Sequence, residues 1–87
     1  MKALIATYDF STVITAETDG IVIGTNSVTF DNTGDVDAIL NDNYPLPAGE
    51  SLTLKNDYKT VIGGTFKVAF ATGSGIERVN IIKESLS

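Results

Sequence analysis

The chain has 87 residues, 11 acids against 6 bases for a net charge of −5, and neither cysteine nor histidine. That length makes one domain over 1–87, since cores divide only at several times this size. The missing residue types exclude disulfides, thiolate metal sites and histidine as base or ligand, and the acidic balance opposes binding to phosphate backbones.

In chain order, Met1 to Asp9 has too short an apolar run for a signal peptide, which predicts a protein made in the cytoplasm. No stretch approaches the roughly 20 apolar residues of a membrane span. Asp19-Gly20 and Gly24-Thr25-Asn26-Ser27 read as turns, because these residue types tolerate positive φ. Val28-Thr29-Phe30-Asp31 alternates as a strand with Val28 and Phe30 inward. Turn chemistry returns at Asp31-Asn32-Thr33-Gly34 and at Asn41-Asp42-Asn43. Leu46-Pro47-Ala48-Gly49 suits a type I turn, with Pro second and Gly fourth.

Ser51-Leu52-Thr53-Leu54-Lys55 is again a strand, with Leu52 and Leu54 inward. A single helical turn fits Lys55-Asn56-Asp57-Tyr58-Lys59, and no other segment carries a helical stripe. Residues 61–70 echo residues 22–30, an echo that reads as chance given the abundance of Gly and β-branched residues. Thr65-Phe66-Lys67-Val68-Ala69-Phe70 is the clearest strand, with both Phe and Val68 on one face. After the Gly73-Ser74-Gly75 turn, residues 77–83 place Val79 and Ile81 on one face and Ile82 on the other. A strand apolar on both faces is central or covered. Seven or eight short strands with regular turns predict an all-β, small antiparallel β-sandwich with essentially no helix. Its topology, jelly-roll or Ig-like, is left open by pattern alone.

No constellation fills the roles of nucleophile, base and orienting group, so the sequence predicts no enzyme and no catalytic residues. Its serines and threonines have no histidine to activate them. Asp31, Asp35 and Asp37 could suggest calcium, yet their offsets from Asn32 and Gly34 miss the D-x-[DN]-x-[DN]-G loop. The segment reads as a solvated turn, and the sequence predicts no metal site and no cofactor. Gly63-Gly64 and Gly73-x-Gly75 lack the lysine and helix of a phosphate loop. The four Phe mostly occupy inward positions, and Tyr8, Tyr44 and Tyr58 lie near turns, where they suit a subunit contact or a binding rim. Residues 1–50 hold eight acids and Lys2 alone, whereas 51–87 hold five bases and three acids. In a sandwich whose strands interleave, those charges mix. Head-to-tail attraction needs them on separate faces.

The run Val28 to Ala38, then Asn41, then Leu46-Pro47-Ala48-Gly49-Glu50-Ser51-Leu52-Thr53-Leu54 resembles small β-sandwich virion proteins of tailed bacteriophages. Arg78-Val79-Asn80-Ile81-Ile82 is similar to their last strand. The match covers about a third of the chain and consists mostly of turn chemistry. Bacterial immunoglobulin-like adhesion modules share a comparable rhythm. The resemblance implies a structural virion subunit, one that decorates or reinforces a capsid as a trimer or forms the base of a head fibre. A tail or neck adaptor is the next reading, and a stand-alone carbohydrate or peptide binding module the third. The partners expected are copies of itself and a major capsid or other virion protein, with no nucleic acid and no membrane. A short core without disulfides or metal agrees with stability drawn from neighbours.

Overall fold

The computed structural model describes residues 3–87. Eight strands and no helix occur among them: β1 (Ala6–Ile14), β2 (Thr18–Val22), β3 (Ser27–Asn32), β4 (Ala38–Leu40), β5 (Tyr44–Leu46), β6 (Ser51–Lys55), β7 (Thr65–Phe70) and β8 (Val79–Leu86). They form two four-stranded sheets ordered β1-β8-β3-β6 and β2-β7-β4-β5. Every pairing is antiparallel. The fold is therefore the all-β sandwich that the period-two pattern predicts. Its connectivity pairs β1 with β8, β2 with β7, β3 with β6 and β4 with β5, as if one long hairpin were rolled up. Rolling a hairpin in this way gives the jelly-roll arrangement, which settles the topology that pattern alone leaves open. Strands from the two halves of the chain alternate in the first sheet, and β7 lies between β2 and β4 in the second, so both halves contribute to each sheet.

Alternation along each strand fills the space between the sheets. Phe30 and Val28 on β3, Val79 and Ile81 on β8, and Val68 on β7 are almost wholly enclosed. Ala38, Leu40 and Leu46 close the other end, and Leu52, Leu54, Phe66 and Phe70 flank the cluster. The rings of Phe30 and Phe66 meet across the sheets at 5.3 Å, within the range favoured by aromatic pairs. β8 lies between β1 and β3, the central position expected of a strand apolar on both faces. Its run ends later than the sequence suggests, at Leu86.

Three turn assignments are corrected. Asp19-Gly20 is a β-bulge inside β2 and not a turn: Thr18 pairs with Val68 and Ile21 with Phe66, leaving two residues opposite one. The Pro47 turn is displaced by one residue. Glu50 N donates to Pro47 O, and Gly49 holds φ at +84° in the third position, which is type II geometry and needs glycine. Lys55-Asn56-Asp57-Tyr58-Lys59 forms no helical turn; Thr60 N donates to Asp57 O in a β-turn instead. Asn41 and Asp42 both take positive φ between β4 and β5, the type I′ hairpin geometry. The echo between 22–30 and 61–70 is not a repeat, because residues 61–64 are irregular and Ile62 exchanges hydrogen bonds with Gly24 and Thr25.

Two buried asparagines lock the loops. Asn32 is fully enclosed; its Nδ2 donates to Val36 O and Leu46 O, both at 2.9 Å, and its Oδ1 accepts from Gly34 N. Asn26 donates to Asp57 O and Thr60 O and accepts from Leu86 N. Asn26 thus satisfies backbone groups of segments distant in sequence, and Asn32 those of its own loop and of Leu46, groups that burial would otherwise leave unpaired. Gly34 is fixed by proximity, since a Cβ there would lie 2.3 Å from Ile76 O. Replacing Asn32 by alanine removes three such bonds at once. Asn32→Ala is expected to lower unfolding free energy by about 3 kcal/mol, against less than about 1 kcal/mol for Thr53→Ala on the outer face. Urea denaturation compares the two; equal losses would show that the Asn32 network is not a major support.

Candidate functional site: an apolar edge strand

The acid-rich loop offers little chemistry. Asp35 Oδ2 accepts from Ile76 N and Asp37 Oδ1 accepts from Ala48 N, so both carboxylates fasten backbone turns. Beside them lies an open depression of about 200 Å³ lined by Asp35, Asp37, Thr72 and Ser74. Among the described residues no three acidic side chains come together as a cation site would require. Tyr44 opens β5 beyond a turn, and Tyr58 lies within one. Tyr8 does not lie near a turn: it sits well inside β1, on the other sheet from Tyr44. The tyrosines therefore do not build one platform.

The concentration of unused apolar surface is on β1. This strand runs nine residues, and Ile14 is its sole contribution to the buried core. Leu4, Ile5, Tyr8, Phe10 and Val13 all remain exposed, Phe10 at 66%. Phe10 departs from the inward placement expected of phenylalanine. Register explains why. Tyr8 pairs with Glu84 and Val13 with Asn80, residues of β8 that face away from buried Ile81 and Val79. Between Asp9, opposite Lys83, and Thr12, opposite Ile81, two residues of β1 stand opposite one of β8. This bulge at Phe10-Ser11 turns the phase of the alternation, so Tyr8 before it and Val13 after it share the outer face. The rings of Tyr8 and Phe10 lie 6.3 Å apart, with Ile82 half-buried on the same face.

Asp9 shapes the bulge. Its Oδ1 accepts from both the amide and the hydroxyl of Ser11, at 2.8 and 2.6 Å. Those two hydrogen bonds, hydroxyl first, lower the Asp9 pKa despite its exposure. Across the strand the Glu84 carboxylate raises the Tyr8 pKa, through hydrogen bonding and then through charge. Lys67 on the opposite sheet is held protonated by Asp42 at 2.8 Å.

The remaining sheet edges are shielded as edges usually are. β5 has three residues including Pro45, β2 is interrupted by its own bulge at Asp19-Gly20, and β6 is short and ends in Lys55. β1 is the longest strand and carries one charge, Asp9. An unpaired ladder flanked by exposed aromatic and branched side chains can hold another strand by main-chain pairing and apolar contact. The sequence reading offers Tyr8 for a subunit contact or a binding rim without locating this edge, and the unbroken alternation of Ala6 to Phe10 was its available signal. No family model matches the chain, and no curated protein or solved structure matches it.

Because Phe10 buries little, Phe10→Ser is expected to change the unfolding free energy of the isolated chain by no more than about 0.5 kcal/mol. A larger loss in thermal or urea unfolding at low concentration would place Phe10 within the core. The lowered Asp9 pKa contributes stability that is present above the ordinary aspartate value of about 3.9 and is lost as pH falls through the folded value. NMR titration should therefore find the Asp9 carboxyl midpoint below that value, and Ser11→Ala should return it upward. An unshifted midpoint would remove the Asp9–Ser11 bonds from the account of the bulge.

Proposed function

We propose that this protein is a non-enzymatic structural subunit of a tailed-phage virion, decorating or reinforcing a capsid or forming the base of a head fibre. The observation that carries the reading furthest is β1, a nine-residue edge strand whose Tyr8, Phe10 and Val13 stay outside the core. A chain that leaves such surface unburied gains stability when a neighbour covers it. The resemblance of residues 28–54 to small virion sandwiches supplies the setting, and the jelly-roll connectivity is one that viral shell proteins use repeatedly. The work done is adhesion: strands pair and apolar side chains are buried, and no covalent bond changes. Copies of the chain and a major capsid protein are the partners, assembled in the host cytoplasm.

Mass spectrometry of gradient-purified virions from the phage that encodes the chain tests this. Its peptides are expected at many copies per particle, in constant ratio to the major shell protein. Their absence from purified particles, with the chain abundant in the lysate, would overturn the assignment.

A further inference from the structure

The facing pattern of β1 is symmetric about its bulge, and we infer that two copies of the chain pair through β1, antiparallel, across a two-fold axis at the Phe10–Ser11 peptide bond. Before the bulge, Tyr8 faces outward with Glu84, while Thr7 and Asp9 face inward with Ser85 and Lys83. After it, Val13 faces outward with Asn80, while Thr12 and Ile14 face inward with Ile81 and Val79. Read from either end, the order of outward and inward positions around residues 10 and 11 is the same. Antiparallel partners that stand directly opposite must project from the same face. A regular strand meets that condition only with a residue or its equivalent on the axis. The bulge shifts the phase by one and moves the axis to the peptide bond.

In this register Tyr8 stands opposite Val13 of the second copy, Asp9 opposite Thr12, and Thr7 opposite Ile14. Charge selects the same alignment. Asp9 is the one charge on β1, and an axis on Asp9 would oppose two carboxylates, which is destabilising across strands. The axis at residues 10 and 11 gives Asp9 a neutral hydroxyl neighbour instead. The outer faces then join Tyr8, Phe10 and Val13 of both copies into one apolar strip, and sheet β6-β3-β8-β1 continues into its symmetry mate as eight strands. Such a contact is isologous, the commonest kind in soluble oligomers. It differs from the three-fold assembly that the virion resemblance implies. It needs β1 alone, so a chain absent from virions would still form the pair.

The chain contains no cysteine, so single thiols can report the register directly. Tyr8→Cys and Val13→Cys are made separately, mixed and oxidised mildly. A covalent dimer is expected in the mixture and not from either variant alone, because like positions lie five residues apart across the axis, about 17 Å. Equal cross-linking by one variant alone would overturn the register, as would a light-scattering dimer of twice 9.2 kDa without cross-link in the mixture. A native chain that stays monomeric at millimolar concentration would overturn the pairing itself. Val13→Lys, which keeps an exposed position exposed in the monomer, is expected to weaken dimerisation about tenfold or more. Unchanged association in that variant would place the contact elsewhere. None of these outcomes alters whether the chain is found in virions.

Discussion

The antiparallel ladders on the two sides of β8 hold this molecule together. β8 comes last in the chain, yet it pairs with β1 on one side and β3 on the other. Without it, the first sheet would be reduced to the β3–β6 pair and β1 would have no hydrogen-bonded neighbour at all. Val79 and Ile81 bring the same strand into the centre of the core, so main-chain pairing and hydrophobic burial depend on one segment. Pairing between the two ends of a chain must overcome a large loop-closure entropy before any contact forms. Domains dominated by such non-local pairings fold more slowly than those built from local contacts.

Where ladders stop, the buried asparagines continue their function. Asn26 anchors the β2–β3 connection to the turn at Asp57 and to Leu86 at the end of β8. Asn32 joins the end of β3 to Val36 and to Leu46 on the second sheet. A buried amide offers donors and an acceptor in one rigid plane, and here all available partners are backbone groups that would otherwise be stranded. Close approach at Gly34 lets the loop after β3 lie directly on residues 76–78, where Thr33 and Gly34 both donate to Arg78 O. The acidic loop is thereby made into a structural clasp, in which the Asp35 and Asp37 carboxylates accept from the amides of Ile76 and Ala48.

These internal constraints are satisfied without β1 contributing more than Ile14 to the core. The strand exists because β8 offers it a ladder, and the bulge at Phe10-Ser11, braced by Asp9, sets which side chains it shows. A domain that closes its other edges by brevity, proline, bulge or lysine while leaving this one long and apolar has a surface suited to association. The adhesive reading follows from that contrast between edges and requires no chemistry at the surface.

Much of the fold was legible before any coordinates. Period-two alternation in 28–31, 51–55 and 65–70 located three strands and their inward faces, because a half-buried strand must alternate whatever it pairs with. Composition removed whole classes of chemistry, since absent residue types cannot be restored by folding. Pairing partners were beyond local pattern: whether β1 lies beside β8 depends on residues some seventy positions apart. The same reason hid the bulges at Asp19-Gly20 and Phe10-Ser11, which exist only relative to an opposing strand. It hid the buried asparagines too, for a turn former and an enclosed amide are spelled identically. The sequence by itself determined which segments alternate as strands and which residue types, cysteine and histidine among them, any chemistry here must do without. Only tertiary structure decided that the roll of the hairpin leaves β1 at an edge with Tyr8, Phe10 and Val13 outward, because exposure is a property of neighbours and not of residues.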